Sequence, residues 1–82
     1  MSTLVLKEVE VDAKASDIWF DDEMMHVRLM DGRELSMPLE WFPRLRDATP
    51  AQRKKWQLIG RGIGIHWPDL DEDLSVAGFL KH

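Results

Sequence analysis

Apolar residues recur at every second position over much of the first half of the chain. Val9, Val11, Ala13 and Ala15 alternate with Glu10, Asp12 and Lys14, the two-residue period of a half-buried strand. The apolar phase then passes to Ile18 and Phe20, so a bend or bulge is expected near Ser16-Asp17. Met25, Val27 and Leu29 continue the alternation to Asp31-Gly32, and Leu35 and Met37 resume it. Asp-Gly between alternating segments predicts a hairpin. Parity selects the loop. A two-residue loop would set Leu29 opposite Glu34, whereas a three-residue loop, Met30-Asp31-Gly32, pairs Val27 with Leu35 and Met25 with Met37. Gly32 then takes the left-handed position of a bulged turn.

The same reasoning fixes the preceding turn. A four-residue loop from Asp21 to Met24 pairs Phe20 with Met25 and Ile18 with Val27. The opposite face then carries Trp19 beside His26, and Asp17 beside Arg28 beside Glu34. This predicts a cross-strand charge ladder.

Pro38 has no N–H to give a ladder and predicts the end of the third strand. Leu39 to Leu45 reads as a short helix or helical turn, with Pro43 near a first turn. Thr49-Pro50-Ala51-Gln52 carries an N-cap, a proline at the first helical position and a capping box, predicting a helix from Pro50 to about Lys55. If the stretch after Trp56, Leu58 and Ile59 is a strand, Gly60, Gly62, Gly64 and His66 share one face. Arg61, Ile63, Ile65 and Trp67 share the other. Pro68 ends it. Asp73 or Ser75 is expected to cap a last helix striped by Val76, Phe79 and Leu80. The pattern predicts an α+β fold: one antiparallel sheet of four to five strands, its apolar face covered by two or three short helices.

The chain has 82 residues, read as a single small domain over 1–82 with room for a modest core. Four Trp, three Phe and five Met supply bulk. No cysteine is present, which excludes disulfides and thiolate metal sites and fits a cytoplasmic protein. No apolar run approaches the ~20 residues of a membrane span. The segment Met1-Ser2-Thr3-Leu4 lacks a basic start and apolar block, so no secretion signal is expected. The net charge of -4 argues against a dedicated DNA binder, but the charge is uneven. Six bases (Arg44, Arg46, Arg53, Lys54, Lys55, Arg61) and one acid, Asp47, lie in the 44–61 segment, and four acids without a base lie in 69–73.

No motif assembles into a reaction centre. The glycine spacing lacks the final glycine of a dinucleotide fingerprint, and no Lys-Ser/Thr follows it as in a P-loop. Asp69-x-Asp71-x-Asp73 opens like a calcium loop, but Leu74 and Leu80 occupy the positions that need Gly and Glu. His66 with Asp69 and Asp71 could form a base with its orienting carboxylate. It lacks a convincing nucleophile, and a structural hydrogen-bonding role accounts for it. The histidines at 26, 66 and 82 show no ligand-like spacing, so neither a metal nor a cofactor is expected. Trp19 becomes a contact residue if it lies on the outer sheet face with His26, because aromatics anchor interfaces. The run Arg53-Lys54-Lys55 beside Trp56 could touch phosphates.

From about Ala13 to Leu80 the chain resembles the small bacterial domain of unknown function numbered 2442. The resemblance is carried by Ile18-Trp19-Phe20-Asp21-Asp22, Leu29-Met30-Asp31-Gly32-Arg33, Pro38 through Leu45, and Gly62-Ile63-Gly64-Ile65-His66-Trp67-Pro68-x-Leu70-Asp71-Glu72-Asp73. It implies a small α+β domain of bacteria or their mobile elements. Some relatives carry an added helix-turn-helix domain, and many look like one half of a two-gene pair akin to toxin–antitoxin modules. It implies no catalytic residues.

The expected function is a non-enzymatic protein-binding module, the antitoxin-like member of such a pair, whose partner is another small protein encoded by a neighbouring gene. The expected contact residues are Trp19, His26 and Arg28 on the outer sheet face, or the basic surface with Arg53, Lys54 and Arg61. The alternative is a nucleic-acid-associated regulator using the basic 44–61 segment. No membrane partner is expected, and open edge strands would allow a homodimer.

Overall fold

The computed structural model describes residues 13–80. Val9, Val11 and the rest of the expected first alternation before Ala13 lie outside the described residues.

The first half folds as the parity argument requires. Strands β1 (Ala15–Phe20), β2 (Met24–Leu29) and β3 (Glu34–Pro38) form an antiparallel sheet in the order β1-β2-β3. Phe20 faces Met25, Ile18 faces Val27 and Trp19 faces His26. Val27 faces Leu35, Met25 faces Met37 and Arg28 faces Glu34. The register shifts between Ala15 and Asp17, where the apolar phase changes in sequence. Gly32 sits at φ 96° and donates its N–H to the Leu29 carbonyl at 2.9 Å, which closes the three-residue loop.

Pro38 ends β3, and Leu39–Trp41 makes a single 3-10 turn. Helix α1 (Pro43–Arg46) starts with Pro43 at its first turn. Helix α2 (Pro50–Arg53) has both hydrogen bonds of the Thr49–Gln52 capping box, at 3.1 and 2.9 Å. It is shorter than expected, with Lys54 as its C-cap.

The expectation of one four- to five-stranded sheet is corrected here. The remaining strands, β4 (Gln57–Ile59), β5 (Gly64–Trp67) and β6 (Glu72–Ser75), form a second three-stranded antiparallel sheet in the order β4-β5-β6. The glycine segment is not one continuous strand, although Gly64 opens β5. Gly60, Arg61 and Gly62 have φ of 59°, 60° and 96° and turn the chain between β4 and β5. Three successive left-handed residues cannot continue an extended ladder. Asp69 lies in a 3-10 turn, Pro68–Leu70, and the acids that follow do not begin a helix. Asp71 turns at φ 51°, and Glu72 and Asp73 enter β6. Helix α3 (Val76–Phe79) follows, with Ser75 at its N-cap position but no side-chain cap. Val76 and Phe79 are buried there, while Leu80 is exposed, so the stripe is narrower than expected.

One buried cluster joins the two sheets. Ile18, Met25, Val27 and Met37 come from the first, and Ile65 and Trp67 from the second. Leu45, Val76 and Phe79 come from the helices. Phe42 meets Phe79 edge-on at 5.8 Å, and Phe20 meets Trp67 edge-on at 6.5 Å. Such geometries add to the area term in holding the layers together. Gly62 lies directly on the backbone of Ala15, so the sheets touch at the start of β1. Among the described residues, no helix is long and apolar enough to cross a membrane.

Candidate functional site

The outer face of the first sheet carries a connected set of polar and aromatic groups. It begins at the turn after β1. The Oδ1 of Asp21 accepts the N–H groups of Glu23 at 2.9 Å and Met24 at 2.8 Å. Its Oδ2 meets His26 Nε2 at 2.8 Å, and His26 Nδ1 meets Ser36 Oγ at 2.7 Å. The side-chain bond with His26 first, and then the two backbone N–H groups, hold the Asp21 carboxyl down at about 2.

With both ring nitrogens engaged, the imidazole is fixed in plane. Trp19 stacks on it at 5.5 Å and an interplanar angle of 17°. The Arg28 guanidinium lies 5.3 Å from the centroid of the Trp19 ring, a cation–π distance, and also bonds Glu34. The sequence-predicted trio Trp19, His26 and Arg28 therefore forms one contiguous unit. Ser36, His26 and Asp21 follow the order of a nucleophile, base and orienting carboxylate. Yet Ser36 and His26 line neither of the two grooves described here, and Asp21 is fixed by its turn. In this setting the chain of bonds orients the ring beneath Trp19.

Trp19 also borders a groove of about 360 Å³. One wall is the end of β1 and its turn, with Ile18, Phe20, Asp21 and Asp22. The other is α2 and the residues after it, with Pro50, Arg53, Lys54 and Trp56. Two sets of residues that sequence kept apart, Trp19 and the Arg53-Lys54 pair, thus share one site. A second groove of about 340 Å³ adjoins it through Asp22 and Arg53, with Glu23, Glu40 and Arg46 on its walls.

The bases of the 44–61 segment are mostly tied into the fold. Arg53 donates from Nε to the Leu45 carbonyl and from Nη2 to the Arg46 carbonyl, both at 2.7 Å, closing the C-terminal end of α1. Arg44 donates to the Asp71 carbonyl at 2.7 Å and so ties α1 to the turn before β6. Arg46 pairs with Asp47 and Glu40, and these partners raise its pKa. Lys55 pairs with Asp69 at 3.4 Å. Lys54 and Arg61 make no ion pair among the described residues. Arg61 is exposed at the turn between β4 and β5 and does not line the groove.

His66 faces Asp73 across β5 and β6 and bonds to it through Nδ1. Asp71 lies in the turn and joins no cluster with them. Among the described residues, no group of three His, Asp or Glu side chains is placed to hold a metal ion. Sequence reasoning missed Asp21 and Ser36 as site members and placed Trp56 only beside the basic run. The four-residue loop already implied a residue at position 21 that fixes a turn. Nothing local pointed to Trp56 facing β1.

A family model described as "Protein of unknown function (DUF2442)" matches residues 15–82. A crystal structure of a protein of unknown function from Rhodospirillum rubrum ATCC 11170 is similar, with a TM-score of 0.72 and 28% identity. The match covers 83% of this chain and 84% of that one. No curated protein matches the chain.

Proposed function

We propose that this chain, which belongs to the DUF2442 family, is a non-enzymatic protein-binding module whose partner is a second small protein. The observation that carries this reading is Trp19. Its ring is held between cross-strand neighbours, remains half-buried and stands at the mouth of a groove. A pre-positioned aromatic gives contact area at little cost in side-chain freedom, which is why such residues dominate interface energetics. The groove adds charges of both signs beside apolar walls, a composition suited to a protein surface.

The resemblance to paired bacterial genes supports an antitoxin-like role in the cytoplasm, with the product of the adjacent open reading frame as the first partner to try. The test is co-expression of the two proteins followed by co-purification and calorimetry. A stoichiometric complex is expected, weakened about 30-fold or more by Trp19→Ala. Failure to form a complex, or indifference of the complex to Trp19→Ala, overturns the reading. The nucleic-acid alternative has less support, because Arg44, Arg46, Arg53 and Lys55 already serve internal partners. Lys54→Glu would weaken salt-dependent duplex binding if that alternative held.

A further inference from the structure

We infer that the open edge of β1 accepts an extended segment of the partner protein as an added strand, laid in the groove between Phe20 and Trp56. The inference rests on the protein-binding reading and names the surface that performs it.

Among the described residues β1 is an edge strand, since the sheet order is β1-β2-β3. Near its start the edge is closed. A Cβ placed on Gly62 would stand 2.5 Å from the Ala15 carbonyl oxygen, so the second sheet rests on the strand there. Towards its end no described strand covers the edge. The N–H of Ile18 does not enter the ladder with β2; it donates to the Asp17 carboxylate at 2.9 Å. Backbone groups of alternate residues point to the same side of a strand, so Phe20 also turns its N–H and carbonyl away from β2. That side is the groove, which Ile18 and Phe20 line. The edge of β1 is therefore covered at Ala15 and faces the groove at Phe20, with α2 and Trp56 as the opposite wall. Natural proteins cover or blunt such edges, and strand addition is a common way for a partner to use one. The Asp17 carboxylate blunts Ile18 but leaves Phe20.

The charges specify the occupant further. Asp22 and Lys54 stand on opposite walls, and neither has an ion pair among the described residues. The segment that fits has alternating apolar residues, a cation towards Asp22 and an anion towards Lys54.

The probe is a synthetic eight-residue peptide of alternating valine and threonine, with lysine at one end and glutamate at the other. It is titrated into the full, isotopically labelled chain and followed by amide NMR and hydrogen exchange. Binding is expected to shift the amides of residues 18–22 and slow exchange at Phe20 about tenfold or more. Asp22→Asn and Lys54→Gln, both exposed changes, should each weaken binding about 3- to 10-fold. No shift at those amides at about 1 mM peptide overturns the inference, as does binding that leaves the Phe20 amide unprotected. The peptide reads the edge directly. A chain that fails to bind its neighbour's product but protects Phe20 with the peptide has lost that partner and kept its strand-accepting edge.

Discussion

Gly62 and Ala15 meet backbone to backbone, with no space for even one methyl group between them. Gly32 has the same φ of 96°, but nothing lies within 4 Å of where its Cβ would be. The two positions separate backbone strain from steric contact. Gly32→Ala should cost about 1–2 kcal/mol, the penalty for a left-handed L-residue. Gly62→Ala should cost about 1–3 kcal/mol more, because the sheet contact must open as well. Urea denaturation of both variants checks this, and equal losses would contradict the contact.

Arg53→Ala and Lys54→Ala test which base belongs to the fold. Arg53 closes two carbonyls at the end of α1, so its removal should cost about 1–2 kcal/mol. Lys54→Ala should stay within about 0.5 kcal/mol of the parent. Thermal unfolding of the two neighbours gives the comparison.

The Asp21 carboxyl is held at about 2 against an ordinary value of 3.8. A depressed folded value stabilises the native state above the ordinary value, and this contribution disappears as pH falls through about 2. Stability should therefore decline between about pH 4 and pH 2, and Asp21→Asn should flatten that part of the profile. His26→Ala removes the largest cause, so the carboxyl carbon should titrate at higher pH in that variant. An unchanged midpoint would show that His26 does not hold the carboxylate.

Trp67 is fully buried, and its indole Nε1–H donates to the Arg53 carbonyl at 3.0 Å. Trp67→Phe keeps an aromatic ring but leaves that carbonyl without its donor and opens a space. A loss of about 2–4 kcal/mol is expected in chemical denaturation.

The first sheet was readable from sequence because parity is a strong constraint. A two-residue loop would have set Glu34 opposite Leu29, and the observed register avoids that. The Thr49 capping box was readable because it is local chemistry. The second sheet was not. β4 has three residues and β6 has four, too few to show a period. Arg61 turns left-handed between two glycines, a conformation that its side chain does not advertise. The acids at 71–73 suit a helix start as well as they suit a turn and short strand, and the pairing of His66 with Asp73 decides between them. Of the candidate site, Trp19, His26 and Arg28 followed from the register. The meeting of Trp19 with Lys54 and Trp56 across the groove depends on how α2 and the residues after it dock beside the first sheet, which no local pattern encodes.

Each sheet is a continuous meander, the first within residues 15–38 and the second within 57–75. Among the described residues every strand pairs with its neighbour in the chain, so none of these ladders has to wait for a distant segment to arrive. Short loop closures of this kind favour rapid assembly. The contacts that must close over a long stretch of chain are instead those between the two meanders, such as the Gly62–Ala15 junction.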